Sequence, residues 1–454
     1  MKKIALYLGP VLALAVLAWL TARGWPQPAA ITAAITVLCA TWWIFEPIPI
    51  PFTSMLPLAL FPLFGILTPD QVGQSYGSPL ILLLLGGFMI SKAMADSGAH
   101  RRIALYMVNL FGGGNARALV LGFMVASASL SMWISNTATT LMLLPVALAV
   151  LENTQRRMAV PLLLGIAYAA SIGGMGTPIG TPPNLIFMQV YADRFGDTPS
   201  FPQWMAWALP TVVVLVPIAG LWLTRGLKLD RPVELPQTGR WRPSEVRVLS
   251  LFAVTALFWI TRKAPFGGWS EWLNLPMAND ASVALIAVVI MALTPNGEGE
   301  RLLKWSSART IPWGVLILFG GGIAIANAFM ASGLADQIAA QLDILSRLPV
   351  PVMLLLIALT VTFLTEVTSN TATASLLMPL LAAAAVVMEV NPILLMIPAA
   401  LSASCAFMLP VATAPNAVIY GSGRVTIKQM ARNGLVLNLI GAVVISLMSW
   451  WLLA

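Results

Sequence analysis

Twice in this chain a short run of hydroxyl and amide side chains interrupts apolar sequence, as ISNTATTLMLLP at 134–145 and TSNTATASLLMP at 368–379. Serine, threonine and asparagine supply neutral oxygens and short donors, and none of them titrates near neutrality. Oxygen ligands of this kind suit hard cations such as Na+, and hydroxyl and amide donors suit carboxylates. Two further runs, PIGTPPN at 178–184 and PVATAPN at 410–416, follow the first pair at nearly the same interval. Proline removes a backbone donor and turns the residue before it away from helix, so each run predicts a helix broken in two. Broken ends expose carbonyls that can coordinate a small cation and N-termini that attract an anion. Neither SNT run carries a Lys or Arg, so a bound dianion would be neutralised by helix ends and co-bound cations, each ligand strengthening the other's binding.

The elements that must position these residues are membrane spans. Hydrophobic residues make up 59% of the 454 and charged residues only 9%, against about 25% charged in a soluble domain. Apolar runs recur from end to end without a long polar block, which predicts one membrane unit with no appended soluble domain. At about 20 residues per span, full crossings are expected near 4–22, 28–45, 51–67, 79–98, 158–192, 203–225, 244–261, 280–295, 311–335, 392–420 and 432–453. The first run has the basic start of a signal peptide, but no small-x-small site follows before Arg23, so a retained span is expected.

The net charge of +8 forms no stripe or arm that would fit nucleic acid; the basic residues punctuate the ends of apolar runs. With the N-terminus cytoplasmic, nineteen of the 25 Lys and Arg, Lys228 and Arg231 among them, fall inside. Only Arg23, Arg194, Arg262, Lys263 and Arg347 fall outside, and Lys92 sits within a span. That is a strong positive-inside bias, and it agrees with an odd number of crossings.

Two apolar segments remain. The stretch 117–152 is too long for one crossing and too short for two plus a turn, so it fits a re-entrant hairpin whose midpoint is Ser135-Asn136-Thr137. The stretch 348–388 is centred on Ser369-Asn370-Thr371; two crossings there would put the motif at the far surface, whereas a hairpin puts it near mid-membrane. The repetition extends further: GGFMISKAMADSG at 86–98 matches GGIAIANAFMASG at 321–333 at six of thirteen positions. Each half then holds five crossings and a hairpin, so the second must face the opposite way. Inverted repeats with interrupted helices near the midplane are the architecture of secondary transporters, with the site at the repeat interface. One SNT run alone would be read as interhelical packing; its duplication beside a helix break points to ligand binding.

The remaining polar residues carry blander readings. Glu366 could be a proton or cation site, but the first half has Met132 at its place, which favours a hydrogen-bonding role. Lys92 is expected to pair with Asp96, and His100, beside Arg101 and Arg102 at a span end, is expected to be solvated. Cys39 and Cys405 lie far apart in apolar sequence and indicate neither a disulfide nor a metal. GGGNAR at 112–117 is merely glycine-rich. No GxSxG, HExxH or Walker-type run is present, and one histidine leaves little for acid-base chemistry, so an enzyme is not expected.

The paired SNT runs, the TPPN and TAPN breaks and the early EPIPIPFTSMLPLALFPLFGI at 46–66 resemble the divalent anion:sodium symporter family, which includes the sodium/dicarboxylate cotransporters. The likeness runs from about residue 28 nearly to the end. It implies a multi-pass protein of the cell inner membrane: an all-α fold of about 11 transmembrane helices plus two re-entrant hairpins, a homodimer with scaffold and transport domains that move as an elevator. On this chain the division would be N-terminal scaffold helices at 1–110, a first transport half at 111–226, linker and second scaffold helices at 227–346, and a second transport half at 347–454. The resemblance implies one sodium site from Ser131, Ser135, Asn136 and backbone at Gly180, and another from Thr365, Ser369, Asn370 and backbone at Ala412. Substrate carboxylates would be held by Asn136, Thr137, Asn370 and Thr371, with Thr413 nearby. Cargo would be succinate, fumarate or malate, with citrate or sulfate in some members; Na+ is the coupling ion and no cofactor is implied. One departure is Ala414, where the first half has Pro182. Some relatives look like sodium-independent exchangers; an anion channel would conduct without saturable coupling.

Overall fold

The computed structural model describes residues 2–111, 115–152, 156–227, 239–263, 267–339 and 348–453. Lys228, Arg231 and Arg347 of the charge bias, Gly112 to Gly114 of the glycine-rich run and the 346/347 boundary lie outside them. Among the described residues the chain is helical throughout, with a single isolated bridge between Pro295 and Arg301.

The first half runs through α1 (Lys2–Ala22), α2 (Gln27–Phe45), α3 (Ile50–Thr53), α4 (Leu56–Leu63), α5 (Pro69–Tyr76), α6 (Pro79–Ser97) and α7 (Ala99–Phe111). It continues with α8 (Ala116–Ser131), α9 (Asn136–Glu152), α10 (Ala159–Gly174), α11 (Pro182–Phe195) and α12 (Phe201–Thr224). The second half holds α13 (Pro243–Ile260), α14 (Gly268–Trp272), α15 (Asp280–Leu293), α16 (Trp305–Ala308), α17 (Trp313–Ala331) and α18 (Leu334–Ala339). It ends with α19 (Val350–Thr365), α20 (Asn370–Val387), α21 (Pro392–Ser402), α22 (Ala414–Gly421) and α23 (Ile427–Leu453).

Eight of these segments are long and apolar enough to cross a membrane, which makes the chain a multi-pass membrane protein. Most expected crossings coincide with a helix or a helix pair. The stretch 51–67 differs: it is the short pair α3 and α4, with Pro57 at the start of α4 and Pro62 within it. The crossing expected at 280–295 is α15, of 14 residues, about 21 Å of helix. The amphipathic α7, on which α8 packs, has no counterpart among the expected crossings.

The two SNT runs and the two proline runs fall at helix breaks, as their composition requires. α8 is capped by Asn115 and stops at Ser131; α9 restarts at Asn136, with the Ser135 hydroxyl accepting from the N–H of Ala138 at 3.2 Å. α19 stops at Thr365, and α20 restarts at Asn370 after an extended Ser369. α10 ends at Gly174 and α11 begins on Pro182; α21 ends at Ser402 and α22 begins at Ala414. Thr181 and Thr413 precede the restarts in extended conformation, which a following proline at the first or second helical position favours.

The core is centred on α10 and α11. From 161 to 190 every residue is buried except Pro182, the signature of a helix apolar all round that sits inside a bundle. α8 and α12 sheathe α10, and α20 and α21 flank α11. α17 packs on α5 and α20, α6 on α15, and α23 on α19 and α21.

Candidate functional site

A cavity of about 1100 Å³ lies where the four breaks meet. Asn136, Pro182, Asn370 and Ala414, the first residues of α9, α11, α20 and α22, all line it. Four helix N-termini therefore face one volume, each equivalent to roughly half a positive charge. Among the described residues no Lys or Arg lines the cavity; an acidic residue there is Glu46, at the left-handed C-cap of α2. Trp43 and Phe45 of α2, Gly87 and Phe88 of α6 and Val315 of α17 also line it.

The expected site residues divide into two layers. Ser135, Asn136, Thr137, Gly180, Ser369, Asn370, Thr371, Ala412 and Thr413 line the cavity. Ser131 and Thr365 are fully buried outside the lining and hydrogen-bond to the two tip asparagines. The Thr365 hydroxyl reaches Asn370 Oδ1 at 2.7 Å and the carbonyl of Ala403 at 3.0 Å. The Asn136 amide is satisfied when its nitrogen faces the Ser131 hydroxyl and the carbonyls of Ala170 and Gly180, both at 3.3 Å. One amide thus sits among three oxygens, and turning it to bring Oδ1 inward makes a four-oxygen set that suits a hard cation.

The two halves repeat this geometry at an offset that the sequence motifs share. Asn184 donates through Nδ2 to the carbonyls of Gly174 (3.0 Å), Met175 (3.4 Å) and Thr177 (2.7 Å). Asn416 donates likewise to Ala406 (2.9 Å) and Leu409 (3.0 Å). These asparagines close the PIGTPPN and PVATAPN runs and hold each broken loop in shape; reading the runs for proline alone missed them, although their repetition was the signal. Their amide oxygens are buried without a partner among the described residues, adding an oxygen at each break. Asn438, fully buried on α23, and Trp204 on α12 are also absent from the sequence reading; each ties a broken loop to the long helix that follows it.

The first break is built on glycine. A Cβ at Gly174 would lie 2.7 Å from the Asn136 amide, and one at Gly180 would strike the Gly174 carbonyl. The second half has Ala406 and Ala412 at those places, so the first set is the tighter.

The lesser expectations also resolve. Lys92 and Asp96 pair at 2.9 Å. Glu366, 3% exposed, is hydrogen-bonded to Met408, Leu409 and Asn438. His100 departs from its expected solvation: it is half-buried, with Nδ1 on the Met94 carbonyl at 3.0 Å, and burial pulls its pKa below the usual value.

Comparison with known proteins places this architecture. The chain resembles the sodium-dependent dicarboxylate transporter SdcS of Staphylococcus aureus strains MRSA252 and NCTC 8325, at 41% identity over 99% of this chain and 91% of theirs. A crystal structure of the YdaH transporter from Alcanivorax borkumensis superposes with a TM-score of 0.58, covering 94% of this chain and 98% of that one. At 16% identity that likeness concerns the fold. The model of the citrate transporter family CitMHS matches residues 40–397. The chain therefore belongs to this citrate transporter family, and both the family and the SdcS relatives are transporters rather than enzymes.

Proposed function

We propose that this protein is a secondary active transporter that carries C4-dicarboxylates such as succinate, fumarate or malate into the cell, coupled to Na+. The observation that carries the reading is the convergence of four helix N-termini on one cavity that no Lys or Arg lines among the described residues. Four half-charges balance a dianion only in part once it leaves water, because helix-end charges are screened and imperfectly aimed. Cations held at the oxygen sets of Ser131, Ser135, Asn136 and Gly180, and of Thr365, Ser369, Asn370 and Ala412, complete the balance. Asn136 and Asn370 stand between both ligands: each is bonded to a buried hydroxyl beneath and lines the cavity above. Thr137, Thr371 and Thr413 add hydroxyl donors for the substrate carboxylates. Sodium and substrate then stabilise one another through shared side chains, which is the thermodynamic content of coupling. The sodium dependence and dicarboxylate cargo of the SdcS relatives support this reading.

The elevator mechanism, the eleven crossings with two re-entrant hairpins, the inner-membrane location and the homodimer belong to the same proposal. Residues of α2, α6 and α17, in the proposed scaffold division, line the cavity together with both SNT tips, and a site shared by the two divisions is what an elevator needs. α20 alone, at 18 residues, is long enough to cross; the hairpin reading rests instead on its tip meeting that of α9 in one cavity. With the N-terminus cytoplasmic, Glu46 and Thr310 line the cavity from the cytoplasmic ends of their elements.

Labelled succinate uptake into proteoliposomes, with an inward Na+ gradient against a K+ control and with or without internal succinate, tests the reading. Uptake that needs Na+ and no internal anion is expected. Uptake that needs internal anion and ignores Na+ would make the protein an exchanger and return Ser131 and Thr365 to packing roles.

A further inference from the structure

The two halves hold their broken loops by different means, and the difference falls beside only one of the two oxygen sets. In the first half the loop is turned by Gly173, Gly174, Gly176 and Gly180, and the N–H of Gly176 is satisfied within it by the Gly173 carbonyl at 2.9 Å. The matching stretch of the second half, CAFMLPVA at 405–412, has no glycine. Its N–H groups turn outward to one buried carboxylate: Glu366 accepts from Met408 N at 2.8 Å and Leu409 N at 3.1 Å. Glu366 Oε1 also accepts from Asn438 Nδ2 at 2.7 Å, while Asn438 Oδ1 accepts from Phe407 N at 3.3 Å. Three donors and no acceptor face the carboxylate in these bonds, an arrangement that the ionised form satisfies.

Glu366 also follows directly on Thr365, whose hydroxyl touches both Asn370 and the Ala403 carbonyl. The Leu409 carbonyl accepts from Ala412 N at 3.2 Å and from Asn416. The carboxylate thus clamps the middle of the segment whose two ends, Ala403 and Ala412, present backbone to the second oxygen set. Met132 stands at its place in the first half and offers no such clamp.

We propose that Glu366 is a positioning residue for the second sodium site alone, fixing the 403–412 backbone through three hydrogen bonds completed by Asn438, so that the two sites differ in how their affinity is built. This rests on the two-site sodium reading above. It also assigns the carboxylate a role in which it neither carries a proton nor touches the ion.

The test is a sodium titration of labelled succinate uptake in proteoliposomes of wild type and Glu366→Gln. The glutamine is isosteric but turns an NH2 toward one N–H donor and loses that bond. Half-saturating sodium is expected to rise roughly 10- to 150-fold, the worth of one hydrogen bond to a charged group. The Hill coefficient should fall from about 2 toward about 1 as the sites separate. At saturating sodium the KM for succinate should stay within about twofold, because the substrate residues are untouched. A monodisperse Glu366→Gln protein with the wild-type sodium titration overturns the proposal. So does a variant whose succinate KM at saturating sodium rises in parallel with the sodium requirement, the pattern of general loosening. If the variant does not fold, Asn438→Ala, which removes one donor to the carboxylate, is read by the same titration with the same criteria. Wild-type uptake indifferent to sodium would instead remove the two-site reading on which the proposal stands.

Discussion

Replacing Gly174 with alanine puts a methyl carbon 2.7 Å from the amide of Asn136 and 3.2 Å from the Gly180 carbonyl. Ordinary contact begins near 3.4 Å, so the amide must retreat by about 0.7 Å. Its neighbours leave little room: it is bonded to Ser131 and faces the Ala170 and Gly180 carbonyls at 3.3 Å. Ion sites hold their ligands to within about 0.2 Å, so this displacement takes Asn136 out of range. Overpacking of this kind costs about 1–3 kcal/mol, roughly 5- to 150-fold in an equilibrium constant. The assay is the melting temperature of purified protein against NaCl, with choline chloride holding ionic strength constant. Wild type should gain stability with sodium, and Gly174→Ala should need sodium higher by that factor for the same gain. The methyl of Ala406 is native at the matching position, so the second set should respond as before and leave a residual, weaker sodium effect. A sodium titration of Gly174→Ala superimposable on wild type would refute the placement of a cation at Asn136.

Asn136→Ala and Asn370→Ala should each abolish uptake and the share of sodium-dependent stabilisation that comes from its own oxygen set, since each residue would serve cation and substrate; normal transport by both would show the site to be elsewhere. Thr137→Ala should raise the succinate KM by roughly 10- to 150-fold, the worth of one hydrogen bond to a charged group, while leaving sodium stabilisation within about twofold, which uptake and melting curves separate. Asn416→Ala strips a donor from two buried carbonyls and should cost about 2–4 kcal/mol, visible as a lower melting temperature in the absence of sodium. His100 has its folded pKa pulled below its usual 6.5 by burial, so the unfolded chain binds its proton more readily and stability should fall as pH drops through and below that value. His100→Gln should flatten that part of a melting-temperature profile, and an unchanged slope would place the pH dependence in other groups.

The helical class and the placement of most long helices were legible because apolar length and basic punctuation report directly on the membrane. The tips and breaks were legible because they recur, and composition at an SNT or a TPPN run dictates a stop in the helix. What was not legible is what holds those breaks. Asn438 lies in the last apolar helix with no motif around it, and its partners Glu366 and Phe407 are set by packing that no local rule encodes. Trp204 is similarly plain in sequence, yet its Nε1 holds the Met175 carbonyl at 2.9 Å. The stretch 51–67 misled because it is apolar enough to span, while Pro57 and Pro62 limit α4 to eight residues. His100 misled because flanking arginines say nothing about the Met94 carbonyl six residues back, in the preceding helix.

The dependence of the second break on α23 also bears on how the chain is assembled. As 403–413 emerges during synthesis, its N–H groups already have Glu366 behind them, but the amide that completes the clamp arrives only with Asn438, 31 residues after Phe407. Until then the broken backbone of this stretch lacks one of its partners in an environment that supplies no substitute. The second half therefore matures after translation of its final helix. Lesions in α23 should surface as failed biogenesis, with retention by membrane quality control, rather than as an assembled carrier that works slowly.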